Sequence, residues 1–121
     1  MTKTDNKPPY DLEERTYQFA KSVRLYVKKL PKTIANIEDG KQVIKASGSV
    51  GANYIEANEA LSKKDFLMRM KISRKEAKES AYFSRLLYET NTLEYEKEGI
   101  GLRNEAIELK KIFSTIIKKS E

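Results

Sequence analysis

Two runs of cations carry the chemistry this chain has to offer. Between Lys21 and Lys45 stand Lys21, Arg24, Lys28, Lys29, Lys32, Lys41 and Lys45, opposed only by Glu38 and Asp39. Between Lys63 and Lys78 stand Lys63, Lys64, Arg69, Lys71, Arg74, Lys75 and Lys78, opposed by Asp65 and Glu76. At about 100° per residue on a helix, Tyr17, Lys21, Arg24 and Lys28 share one face, and Lys64, Lys71, Lys75, Lys78 and Tyr82 share another. Lysines one or two turns apart can each displace a condensed counterion from a phosphate backbone, and tyrosine can stack on an unpaired base. Such faces suit salt-sensitive, weakly sequence-specific binding of RNA or DNA. Lysine is also common wherever the face opposite a buried stripe is simply solvated, and the pattern leaves both readings open.

The acidic set is thinner. Asn53, Glu56 and Glu59 precede Glu76 and Glu79, and Glu56 and Glu76 each lie between apolar neighbours, so both are expected to be partly buried with Lys45, Lys71, Arg74 or Arg85 as partners. The chain has no cysteine and no histidine. Thiol redox chemistry, disulfides, zinc-finger sites, serine–histidine triads and Glu-x-x-His di-iron ligands therefore have no residues to build them. Neither a catalytic nor a metal site is expected, no cofactor is called for, and the chain reads as a non-enzyme. Lysine and arginine number 24 against 18 acidic residues, for a net charge of +6, which raises the expectation of an anionic partner.

Those faces need helices to present them. At 121 residues the chain suits one domain, and with only five glycines and three prolines against 35% charged residues it favours long helices with solvated faces. Residues 1–10, with Pro8 and Pro9, read as a flexible arm, and 11–121 as the folded bundle. Asp11 with Glu14 has capping-box spacing, and Leu12, Thr16, Phe19, Ala20, Val23, Val27 and Leu30 recur at threes and fours until Pro31 stops the first helix. Thr33 to Gly40, containing Asn36, Asp39 and Gly40, reads as a connection with room for a helical turn. A second helix follows from about Gly40 to Leu61, with Val43, Ala46, Val50, Tyr54, Ala57 and Leu61 on one side and Ile44, Gly48, Gly51 and Ile55 on another. Gly48 and Gly51 imply either a ridge where a neighbour approaches closely or a break at 47–51.

Ser62 with Asp65 starts a third helix reaching Thr90 or Asn91, whose core seam is Phe66, Met70, Ser73, Ala77, Ser80, Ala81, Ser84, Leu87 and Tyr88. A second strip, Met68, Ile72, Phe83 and Leu86, exceeds what one core contact requires and is assigned to a subunit interface. Asn91 to Gly101 reads as an acidic loop or frayed end. The fourth helix runs from about Leu102 to Lys119 and buries Leu102, Ala106, Leu109, Ile112, Phe113, Ile116 and Ile117. The expected fold is all-α, an antiparallel up-down-up-down four-helix bundle. No apolar run approaches the roughly 20 residues of a membrane span and no signal-peptide core is visible, so a cytoplasmic protein without membrane contact is expected.

The stretch 46–87, with Ser49-Val50-Gly51-Ala52-Asn53-Tyr54-Ile55-Glu56-Ala57, then Ser62, Asp65-Phe66, Lys75-Glu76-Ala77 and Glu79-Ser80, resembles the bacterial four-helix-bundle family encoded in intervening sequences of 23S ribosomal RNA genes. Weaker similarity extends through residues 11–20 and 30–33. The resemblance implies a homopentameric ring with a basic surface and no enzymatic activity. A relative similar in fold is the accessory variability determinant protein of diversity-generating retroelements, which binds nucleic acid and its reverse transcriptase. Phe83 stands where members often carry tryptophan. The resulting expectation is a self-assembling, nucleic-acid-associated scaffold. The alternative is an adaptor that engages a protein partner through its apolar strip and acidic loop, with basic faces that serve only solubility.

Overall fold

The computed structural model describes residues 11–121, and the expected arm, 1–10, lies outside the described residues. Four helices follow in order: α1 (Leu12–Lys29), α2 (Ile34–Asn58), α3 (Lys63–Glu89) and α4 (Glu96–Ser120), with a short 3-10 turn at Leu93–Tyr95 and no strand among the described residues. Consecutive helices pack side by side, α3 lies along both α2 and α4, and α1 rests mainly on α2 with a lighter contact on α4. This is a four-helix bundle in which α1 and α3 stand diagonally opposed.

The starts of α1, α2 and α3 are encoded locally, whereas α4 has no side-chain cap. The side chains of Asp11, Thr33 and Ser62 accept hydrogen bonds from the N–H groups of Glu14 (3.2 Å), Asn36 (3.1 Å) and Asp65 (3.0 Å), satisfying amides that the first helical turn leaves free. The core joins Phe19, Val23 and Tyr26 of α1 with Val43 and Val50 of α2, Met70, Ala77 and Leu87 of α3, and Leu109, Phe113 and Ile117 of α4. Four serines and a threonine are also buried, and Ser73 donates across to the Val50 carbonyl of α2 at 2.9 Å. Small side chains along the α3 seam thus let α2 come close enough for an interhelical hydrogen bond.

Gly40 and Gly51 of α2 lie where α1 approaches closely, and the helix runs unbroken from Ile34 to Asn58. A Cβ on Gly51 would stand 2.8 Å from Thr16 Oγ1 and one on Gly40 would stand 2.9 Å from Val27 Cγ1, so α1 can lie against α2 only where these side chains are missing.

Three boundaries differ from the sequence expectation. The segment taken as a connection from Thr33 to Gly40 is helical from Ile34, because Thr33 caps it and the polar Asn36 is consumed in a buried lock. α2 stops at Asn58, short of Leu61, because Ser62 must be extended to cap α3; Leu61 is left fully exposed in the tight link. The acidic stretch after Asn91 is mostly the start of α4, where Glu96 and Glu98 face the positive end of the helix dipole. Gly99 there marks close packing and no break, since a Cβ would stand 2.5 Å from Tyr88 Cβ and 2.7 Å from the Tyr26 hydroxyl.

The two links at one end of the bundle are tied together. Asn36 Nδ2 donates to the Pro31 carbonyl and to Asn91 Oδ1, each at 2.8 Å, while Asn91 Nδ2 donates to Asn36 Oδ1 at 2.9 Å and to the Leu87 carbonyl at 2.8 Å. Tyr26, missed by the threes-and-fours pattern, is 1% exposed, and its hydroxyl donates to the Tyr95 carbonyl at 3.0 Å. Its burial, with Glu98 and Tyr95 nearby, pushes its pKa up to about 12.

Candidate nucleic-acid interface

α1 buries Leu12, Thr16, Phe19, Val23 and Tyr26, which leaves Tyr17, Lys21, Arg24 and Lys28 on its outer side, all exposed. α3 buries Met70, Ser73, Ala77, Ser80 and Ser84, which leaves Lys64, Lys71, Lys75, Lys78 and Tyr82 outward and exposed. Within each helix the expected basic residues therefore do share a solvent face. The two faces are not brought together: α1 and α3 are diagonal partners and each turns its cations away from the core, so the basic surfaces lie on opposite sides of the bundle.

The faces differ in shape. Between α1 and α2 a groove of about 720 Å³ is lined by Tyr17, Lys21 and Arg24 on one wall and by Gly48, Ala52 and Ile55 on the other. Arg24 is positioned across it: Nη1 donates to the Ala20 carbonyl at 2.9 Å and Nη2 reaches the Ile44 carbonyl of α2 at 3.4 Å. The α3 face holds a hollow of about 530 Å³ lined by Lys64, Met68, Lys71, Ile72 and Lys75. Tyr82 there already packs edge-on against Phe83, with ring centroids 5.1 Å apart and planes at 87°.

The strip assigned to a subunit interface is partly used within the chain. Met68 is 47% exposed, whereas Ile72, Phe83 and Leu86 are half-buried, and Phe83 packs on the core cluster.

Of the two carboxylates expected to be partly buried, Glu56 is exposed, because its position on α2 lies well outside the α1 and α3 contacts. Glu76 is half-buried beside Glu79 and has Lys75 at 3.9 Å. Burial raises its pKa first, and the charge of Glu79 and a hydrogen bond with it raise it further, while Lys75 and Lys45 act in the opposite direction. Among the described residues no group of three or more His, Cys, Asp or Glu side chains could hold a metal ion. The bidentate Arg15–Glu105 pair (2.7 and 2.9 Å) and the Lys29–Glu98 pair (2.9 Å) link chain segments about 90 and 69 residues apart and were not foreseen, since sequence spacing gives no sign of which charges meet across a bundle. Among the described residues no helix is long and apolar enough to cross a membrane.

One family's profile, described as 23S rRNA-intervening sequence protein, matches residues 10–115. A solved structure from Bacteroides thetaiotaomicron VPI-5482, described as a protein with unknown function from the S23 ribosomal protein family, is similar at a TM-score of 0.73 and 30% sequence identity, over 88% of this chain and 97% of that one. No curated protein matches the chain.

Proposed function

The chain belongs to the 23S rRNA-intervening sequence protein family, and on that footing we propose that it is a non-enzymatic, self-assembling bundle that holds RNA or DNA on its basic helix faces. The observation that carries this reading is the separation of charge by face: the outward sides of α1 and α3 present Lys21, Arg24, Lys28, Lys64, Lys71, Lys75 and Lys78, all exposed. Solvation alone also places cations opposite a buried stripe; what supports a polyanion is that seven of them stand on these two faces, so that several phosphate contacts can be made at once. Assembly into a ring of five would multiply the +6 of each chain five-fold and let individually weak contacts act together.

The test is binding of a short structured RNA, and of DNA of matching sequence, across a salt series. Wild-type protein binds at low salt and loses affinity steeply as salt rises. Reversal of Lys71, Lys75 and Lys78 to glutamate weakens binding and flattens that slope. Lys75 also helps keep Glu76 ionised, so the thermal midpoint of the triple variant is measured alongside to separate lost contacts from lost fold. Unchanged affinity in a folded triple variant removes the α3 face from the proposal. A wild-type protein that ignores both nucleic acids at low salt, yet copurifies with one defined protein through the Met68–Ile72 strip, would make it an adaptor.

A further inference from the structure

We infer that the groove between α1 and α2 seats an unpaired base of a single-stranded nucleic acid, with Tyr17 as the stacking face and Lys21 and Arg24 on the flanking phosphates; this rests on the nucleic-acid reading above and names its substrate class. The groove's volume, about 720 Å³, falls within the roughly 300–1,000 Å³ of small-molecule pockets, and its far wall, Gly48, Ala52 and Ile55, is apolar. Tyr17 is 61% exposed and Ile55 44% exposed. An exposed aromatic ring beside two cations is the combination that takes bases without regard to sequence. On α3 Tyr82 is equally exposed, but its ring packs on Phe83 and it does not line the hollow formed by Lys64, Lys71 and Lys75, whereas Tyr17, Lys21 and Arg24 line one groove together. Glu13 and Glu14 close the other end of the groove and would repel phosphate, which directs the strand toward Lys21, Arg24 and Lys28.

Gly48 supplies the independent argument. At Gly40 and Gly51 a Cβ would collide with the branched side chains of α1, so helix packing requires glycine there. At Gly48 the nearest atom to a built Cβ is only the tip of Arg24, Nη2, at 3.1 Å, the far end of a flexible side chain. Packing would therefore tolerate alanine, which is also the better helix former. What glycine preserves is the place of the guanidinium, laid across the groove against α2 with its Nη1 on the Ala20 carbonyl and N–H donors to spare. Glycine at this position leaves the guanidinium room to lie against α2 at the groove, where a methyl group would push it outward.

The experiment compares fluorescence anisotropy of a labelled oligouridine and of a labelled duplex hairpin of the same length, using the full chain. Wild type prefers the single strand. Tyr17→Ala weakens oligouridine binding about tenfold or more and leaves the duplex little changed. Gly48→Ala melts at a higher temperature than wild type yet binds oligouridine less well, a combination that a folding defect cannot produce. If both variants bind oligouridine as wild type does while the α3 charge reversal abolishes binding, the nucleic-acid reading stands and this groove assignment falls. If either variant changes the light-scattering mass and not the oligouridine affinity, the groove seats a second copy of the chain and the assignment again falls. If wild type binds neither probe at low salt, both fall together.

Discussion

Asn36 and Asn91 exchange amide hydrogen bonds across the end of the bundle, and each also donates to the backbone of the link it closes, at Pro31 and Leu87. A half-satisfied amide pair is worse than none, because the surviving partner keeps its desolvation cost without its bonds. Asn36→Ala should therefore lower unfolding stability by about 1–3 kcal/mol, and the double variant Asn36→Ala/Asn91→Ala should cost less than the two singles combined. Urea denaturation of the four proteins checks this, and strict additivity would show that the pair is not coupled. Glu76 gives a pH dependence of definite sign. Its pKa in the folded chain lies above the ordinary 4.5 of the unfolded one, so between the two values the folded state holds the extra proton and stability falls as pH rises through that window. Glu76→Gln keeps a donor for Glu79 without the charge. It should be more stable than wild type at neutral pH, and the difference should shrink as pH drops through the carboxylate range, read from thermal midpoints at a series of pH values. A difference independent of pH would mean that Glu76 carries no burden of burial.

Two glycines a turn's half apart in α4 separate helix propensity from packing. Gly99 lies under Tyr88 and Tyr26, with no room for a methyl group, whereas nothing stands within 4 Å of a Cβ built on Gly101. Gly101→Ala should stabilise the protein by about 0.5–1 kcal/mol through propensity alone, and Gly99→Ala should destabilise it by about 1–3 kcal/mol by overpacking; chemical denaturation of each decides. The opposite behaviour of two identical residues explains what the sequence could and could not reveal. Period and caps made α1 and α3 legible to within a residue or two, because Asp11, Ser62 and Pro31 act locally. The early starts of α2 and α4 were obscured because Asn36 and Gly99 look like turn residues and are retained for tertiary reasons, an amide lock and a close crossing. The site divides in the same way. Which cations share a helix face follows from spacing, but the groove that Arg24 spans depends on how α1 lies over α2, and no single-helix pattern contains that.

For the whole molecule, the diagonal placement of α1 and α3 sets a geometric problem for any polyanion. One bundle shows it two basic faces on opposite sides, so a short segment of strand lies on only one of them at a time, whereas copies arranged about an axis can align like faces around a common surface. The proposed self-assembly is thus tied to the proposed binding, and the apolar strip of α3 is where to break it. Phe83 packs on the core cluster, so a charge there would damage the fold along with any interface. Met68, 47% exposed, and Ile72 beside it give the cleaner test. Met68→Glu/Ile72→Glu should cost the monomer some stability, because Ile72 is half-buried, so its thermal midpoint is measured alongside, while light scattering after size exclusion shows the mass falling to that of a single 14.0 kDa chain. Nucleic-acid affinity should fall with it, by more than the two substitutions can account for locally, because the multivalent surface is gone. Loss of assembly with undiminished affinity would show that each bundle binds alone, and an intact oligomer would move the interface away from this strip.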